Sequence, residues 1–551
     1  MGGLEAVLEL CVRTQRENGP VAEGNMAHSL AQRFAELLYK AVMGAMLWLL
    51  CLLTPKSPVS GKKLPPVSQP LLLESATQLA RKIRRREVSS VEVVQAYIDR
   101  IQEVNPLINA MVQDRFSLAL QEAAQVDKLI EEETGGEDVL EDRLPLLGVP
   151  LSVKESFAVQ GMSHTAGSLA RRGILATVDA PAVAQLKRAG AIPLGVTNIP
   201  EQCMWIESHN HLYGMTRNPY NLDRIAGGSS GGEGSILGAA GSVIGVGSDI
   251  GGSIRFPSFS NGIFGHKPTP GIVSNDNQLP PFSGRQEELL STGPMCRYAE
   301  DLLPMLKIMA GANVDKLSLN EKVDLKKLRF FTVPDCGEAL FTNPVSEELK
   351  QAQRKVVERL EADLGVKVEE VHFPDLKHSY DMWFVSMSLP DQEGKLPDSF
   401  EKLLGEPGPP VWPLWELLKA MVGKSDHTIP AIFYALLSKM TSPPLSALKI
   451  REKLQEDFDQ LLGTDGVLLY PTFTKVAPKH HHPLFAFYDL IYTAIFNVLG
   501  LPVTQCPLGL NEEGLPLGVQ VVAGKLQDHL TIQMAVYLEK AFGGWRDPGA
   551  N

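Results

Sequence analysis

Residues 227–257 read GGSSGGEGSILGAAGSVIGVGSDIGGSIRFP, and this stretch decides how the rest of the chain is read. Eleven of the 26 residues from Gly227 to Gly252 are glycine, in a chain of 551 residues with 48 glycines. Glycine at that density opens backbone conformations closed to other residues and lets amide N–H groups converge on a ligand. Two generic readings fit poorly. A phosphate cradle would need GxxxxGK[ST], or GxGxxG with an acidic residue after the next strand, and neither is present. A hydrolase elbow is matched formally by Gly228-Ser229-Ser230-Gly231-Gly232. It requires a strand directly before the serine, and Asn221–Ala226 does not read as one.

Outward from this stretch, short apolar runs alternate with helical periodicity. Val149–Val153, Ala191–Val196, Ser242–Gly247, Val467–Tyr470, Leu501–Gln505 and Gly518–Val522 read as strands. Asp179–Ala189, closed by Gly190, reads as a helix. Strands alternating with helices predict an α/β fold: a single large domain whose central mixed, largely parallel sheet is covered by helices on both faces.

The stretch 227–257 resembles the signature of the amidase family. The resemblance rests on the tandem glycine–serine run, the ending Asp249-x-Gly251-x-Ser253-Ile254-Arg255-x-Pro257, and the following Gly265-His266-Lys267-Pro268. Upstream, Gly148-Val149-Pro150-Leu151-Ser152-Val153-Lys154 is similar to the family's lysine strand. The likeness extends over roughly residues 70–545. Within the family it is nearest to the lipid-amidase branch, on Val243–Arg255, Gly293–Glu300 and Leu501–Leu510.

The resemblance implies a Ser–Ser–Lys triad: Ser253 as nucleophile, Ser229 as bridging serine on a cis peptide, and Lys154 as general base. It places the oxyanion-binding N–H groups at Ile250, Gly251, Gly252 and Ser253, with Ser230, Asp249 and Arg255 supporting the loop. It implies no metal and no organic cofactor. The chemistry is coherent in itself. A serine hydroxyl needs a base to become nucleophilic, and a lysine serves only if its surroundings keep it neutral. Ser235, Ser242 and Ser248 read instead as ordinary turn residues. His480-His481-His482, bracketed by Pro478 and Pro483, reads as a loop cluster and not as a metal site.

Beyond the signature, Trp412–Met440 reads as a helical hairpin. It is either a core-packing pair or a membrane-facing cap over an acyl channel, with Trp412 and Trp415 beside Lys419 and Lys424 suiting an interface. Leu484–Leu499 is too short and polar to span a membrane and reads as lining the core or an acyl tunnel. Residues 1–36 read as an N-terminal extension, 37–53 as a hydrophobic membrane-anchor helix, 54–70 as a Pro-rich linker, 71–545 as the catalytic domain and 546–551 as a tail. For 37–53 a signal peptide from Met26 and a buried helix are the competing readings. The basic run Arg81, Lys82, Arg84, Arg85 and Arg86 reads as a solvated helix face or a contact for anionic lipid.

Composition narrows the partners. The net charge is −12, from 52 basic and 64 acidic residues. That balance argues against nucleic acid as a partner and so against a tRNA-dependent amidotransferase subunit. Six scattered cysteines without a CxxC pair indicate neither a disulfide framework nor zinc. The resemblance implies a membrane-associated amidase that hydrolyses fatty-acid amides, of N-acylethanolamine and primary fatty amide type. Its partners are a lipid amide substrate and the bilayer, with a homodimer as the open assembly. Its expected place is an intracellular membrane (endoplasmic reticulum or lipid droplet), held by a single-pass N-terminal anchor. An amidase for small polar amides and a catalytically silent membrane-tethered protein are the remaining alternatives.

Overall fold

The run Gly466-Val467-Leu468-Leu469-Tyr470 shows why the sheet is continuous. Val467 and Leu469 belong to one hydrophobic core, while Leu468 and Tyr470 belong to a second. A strand whose successive side chains enter opposite cores must be apolar at every position, since successive side chains point to opposite faces. In the computed structural model, which describes residues 58–550 except 134, 135, 338, 340 and 441–443, together with 37, 41 and 44, such runs assemble into an 11-stranded sheet.

The strands are β1 (Met111–Asp114), β2 (Pro150–Lys154), β3 (Ile192–Thr197), β4 (His209–Asn210), β5 (Gly214–Met215), β6 (Ile244–Asp249), β7 (Phe264–Lys267), β8 (Ser291–Cys296), β9 (Arg329–Thr332), β10 (Val368–Glu370), β11 (Gly466–Tyr470), β12 (Val503–Leu510) and β13 (Pro516–Ala523). Their order in the main sheet is β1-β3-β2-β6-β8-β7-β12-β13-β11-β9-β10, and β4 and β5 form a separate hairpin. The sheet is mixed. β3, β2 and β6 run parallel, as do β10, β9 and β11, with antiparallel pairs between the two groups.

Helices cover both faces. α1 (Ala76–Arg84) and α2 (Ser90–Ile108) each start on a capping box, Ser75 with Gln78 and Ser89 with Glu92, which satisfies two otherwise unpaired N–H groups apiece. α3 (Pro181–Arg188) occupies the helix expected over Asp179–Ala189. The glycine-rich stretch itself supplies α4 (Gly231–Gly238), then β6, then α5 (Arg255–Ser260). The second core is built around α6 (Ser379–Met387) and α9 (Ile491–Val498), and the intervening α7 (Pro413–Met421) and α8 (Ile429–Met440) form the expected hairpin. The C-terminal α10 (Asp528–Phe542) packs on β12.

The structure revises one expectation. Among the described residues no helix is long and apolar enough to cross a membrane, so the single-pass anchor and the localisation built on it are not supported. All of 37–53 except Leu37, Ala41 and Gly44 lies outside the described residues. The basic run on α1 is largely occupied within the protein. Arg84 is buried against Pro145 O and Glu141, Arg85 pairs with Glu137, Lys82 pairs with Glu74, and Arg86 donates to Ile130 O. Finally, residues 58–70 lie against the body. Val59 and Leu64 are buried, Arg100 donates to Pro65 O (3.0 Å), and Val67 N–H donates to Asp547 (2.8 Å).

Candidate active site

Parallel strands β2 and β6 are neighbours in register, with Val153 opposite Val246, so their carboxyl ends emerge side by side. Open α/β sheets bind ligands outside the carboxyl ends of such strands. Lys154 is the last residue of β2, and Ser253 follows the end of β6 by four residues. Ser229 arrives from the turn before α4, across a cis Gly228–Ser229 peptide.

Lys154 Nζ donates to Ser229 Oγ at 2.8 Å and to Ser248 Oγ at 3.0 Å. The lysine is fully buried, and burial lowers its pKa against the opposing influence of the Cys203 thiol, Asp249 and Glu233. Ser229 and Ser253 line one cavity together with Ser248, Ile250, Gly251 and Gly252. Lys154 and Ser229 are buried, whereas Ser253 is only partly so, which leaves it within reach of a ligand. The arrangement hydrogen-bonds a buried amine to one hydroxyl and puts a second, reachable hydroxyl in the same cavity. Ser248, expected as a turn residue, lies inside β6 and is part of this cluster. Ser235 and Ser242 serve the backbone, donating to Arg217 O and Ile244 O.

The loop between β6 and α5 is held from several directions. Asp249 and Arg255 form a fully buried pair, with Arg255 donating through Nε (3.0 Å) and Nη2 (2.8 Å). Burial alone would push the Asp249 carboxyl up, but the adjacent Arg255 guanidinium outweighs it and holds the group well below the usual range. The remaining donors of Arg255 reach Thr493 O, Gln520 Oε1 and Asn497 Oδ1. Asn497 in turn donates to Asp249. Ser230 N–H donates to Ser253 O (3.2 Å).

The expected oxyanion-binding residues separate into two groups. The N–H of Gly252 donates to Asp249 Oδ1 at 2.8 Å, so this donor is already used. The N–H groups of Ile250, Gly251 and Ser253 make no hydrogen bond among the described residues. Gly252 contributes conformation instead: its φ is +130°, and an added Cβ would lie 2.3 Å from Thr493 Oγ1.

Away from these groups the cavity is apolar. Trp205, Trp383, Met387, Phe400, Leu403 and Tyr434 are among its lining residues. Leu490 and Thr493, from the stretch expected to line a tunnel, also reach it. The histidine run lies elsewhere: His480 pairs with Glu207 (2.7 Å) and donates through Nε2 to Leu222 O (3.1 Å). His266 bridges Thr504 and Asp528 under the sheet. Among the described residues no group of His, Cys, Asp or Glu could hold a metal ion.

Sequence reasoning missed Ser248, Trp383, Thr493, Asn497 and Gln520. A buried arginine with five donors signals in advance that several acceptors must converge on it, but it does not say which.

Residues 92–532 match the model of the family described as Amidase. Over 526 residues the chain is 63% identical to fatty-acid amide hydrolase 2-A of Danio rerio, covering 95% of this chain and 99% of that one. Over 488 residues it is 53% identical to fatty-acid amide hydrolase 2 of Homo sapiens, covering 88% and 92%. Among solved structures, a fatty acid amide hydrolase shares the fold, with a TM-score of 0.68 at 24% identity over 86% of each chain.

Proposed function

The chain belongs to the amidase signature family and is an amidohydrolase, and from that premise we propose that it hydrolyses fatty-acid amides to a free fatty acid and an amine through an acyl-enzyme on Ser253. The observation that carries this reading is one cavity joining the Ser253–Ser229 end to a wall of aromatic and aliphatic side chains. An acyl chain gains roughly 0.8 kcal/mol for each methylene it buries against such a wall. The high identity to relatives named as fatty-acid amide hydrolases supports the same substrate class.

In this mechanism neutral Lys154 takes a proton from Ser229 as Ser229 takes one from Ser253. Ser253 Oγ then attacks the amide carbonyl. The N–H groups of Ile250, Gly251 and Ser253 receive the developing oxyanion; a preorganised donor of this kind is typically worth about 10²–10³ in rate. As the tetrahedral intermediate collapses, the proton returns through Ser229 to the leaving nitrogen, and water repeats the sequence on the ester.

The hairpin α7–α8 extends the proposal to the membrane surface. Its inner residue Tyr434 lines the cavity, while Trp412 before α7, Trp415, Leu418 and Met421 on it and Val422 after it are exposed. Exposed tryptophans beside Lys419 and Lys424 suit a headgroup interface, so the acyl chain would enter from a bilayer on which the enzyme rests.

The test is fluorophosphonate labelling followed by peptide mapping. Wild type is expected to label at Ser253, and Ser253→Ala to lose both labelling and turnover of a fatty-amide panel while keeping its fold. Labelling at Ser230, or turnover confined to short polar amides, would overturn the reading.

A further inference from the structure

Three peptide planes make up the loop from Ile250 to Ser253, and side chains from outside the loop hold the first two carbonyls. Trp383 on α6 donates its indole N–H to Ile250 O at 2.8 Å. Thr493 on α9 donates its hydroxyl to Gly251 O. In a trans peptide the C=O and the next residue's N–H point in opposite directions, so holding a carbonyl also aims the following amide.

The two contacts are unequal in consequence. The plane that Thr493 holds carries the Gly252 N–H, which is spent on Asp249. The plane that Trp383 holds carries the Gly251 N–H, which has no acceptor among the described residues. We propose that Trp383 is a positioning residue for catalysis, fixing through its indole N–H the peptide plane that presents the Gly251 amide to the oxyanion. The inference rests on the acyl-enzyme reading above.

Its chemistry is specific. An indole nitrogen is a donor only, and a buried one needs an acceptor; here Trp383 is buried and the acceptor belongs to the reacting loop. An added Cβ on Gly251 would lie 3.4 Å from Trp383 Nε1, so ring and loop are in van der Waals contact as well. Trp383 also forms part of the cavity wall, which separates two roles that experiment can distinguish. A wall residue affects substrate affinity, whereas a residue that orients an amide affects the transition state.

Trp383→Phe keeps an aromatic wall and removes the donor. It is expected to lower kcat about 10–100-fold, below the loss for a deleted oxyanion donor, with KM for a fatty amide changed less than about threefold. A fatty trifluoromethyl ketone, whose adduct on Ser253 carries an oxyanion, should bind more weakly in proportion to kcat/KM. The corresponding fatty alcohol, which carries none, should bind as before. Trp383→His, which restores a ring N–H, should recover part of the ketone-to-alcohol affinity ratio, and that ratio can be read even if Trp383→Phe is unstable. An unchanged ratio in the variants, or a raised KM with kcat intact, would make Trp383 a wall residue only and overturn the proposal. If the wild-type ketone adduct does not depend on Ser253, the acyl-enzyme reading fails instead.

Discussion

Lys154 shows at the scale of one residue how position creates reactivity. Its amine donates to two hydroxyls, those of Ser229 and Ser248, and burial is the largest influence on its pKa. A base must be neutral to accept a proton, so activity should rise with pH as Lys154 deprotonates. Glu233 tunes that point. It is buried on α4, accepts from Ser152 and Thr197 (2.7 Å each), and is pushed up to about 7 by burial. Ser152 lies two residues before Lys154, and Thr197 is its register partner on β3. Gly245 makes room: an added Cβ there would meet Glu233 Oε2 at 2.0 Å. An ionised Glu233 stabilises the ammonium and so raises the pKa of Lys154, alongside Asp249 and Cys203. Glu233→Gln is therefore expected to move the acidic limb of the kcat/KM profile to lower pH. A limb that stays in place or moves up would show that Glu233 only braces the strands.

At the scale of elements, the α7–α8 hairpin combines two faces. His427 in its turn pairs with Glu201 (2.8 Å), and the Thr428 N–H donates to the same carboxylate (2.8 Å), tying the hairpin to the cavity wall. Periodicity alone left two readings of this segment, because an apolar face can meet a core or a membrane. The structure separates the residues: Ala431, Ile432, Tyr434, Ala435 and Leu437 of α8 are buried, whereas α7 and the residues flanking it expose Trp412, Trp415, Leu418, Met421 and Val422. Replacing both tryptophans by alanine should weaken binding to liposomes and raise the apparent KM for long-chain amides presented in vesicles. Turnover of short, soluble amides should stay within about twofold. Unchanged vesicle binding, measured by co-sedimentation, would assign the exposed face another partner. Elsewhere, the strands legible in the sequence, such as Pro150–Lys154 and Gly466–Tyr470, are buried on both faces and apolar apart from Ser152 and Lys154. β1 and β10, at the two edges, retain exposed polar positions, and β8 contains Gly293 and Pro294, so none of the three carries the apolar signal.

At the scale of the whole molecule, the segment at 58–70 meets the C-terminal segment. The strap at residues 58–70 covers α2 and reaches the C-terminal tail through Val67 and Asp547. Burying a leucine such as Leu64 is worth about 1.5–3 kcal/mol, and each hydrogen bond adds about 1 kcal/mol. A chain starting at residue 71 should therefore unfold about 2–5 kcal/mol more easily in urea than one starting at 58. Equal midpoints would mean that the strap is only a linker. What the sequence determined by itself is local. Clustered glycines permit the loop, a largely apolar strand ends on Lys154, and the order of the signature puts Ser229 before α4 and Ser253 after β6. Each of these depends on neighbours in the chain, and so does the legibility of the proposed triad. The tertiary structure alone decided the partners that hold those residues. Trp383 is 133 residues from Ile250, Gln520 is 265 from Arg255, and Glu207 is 273 from His480. Helical and strand periods specify which face of an element is buried but not which distant element covers it. A donor or acceptor that arrives from the covering element therefore has no local signal, and only the folded packing selects it.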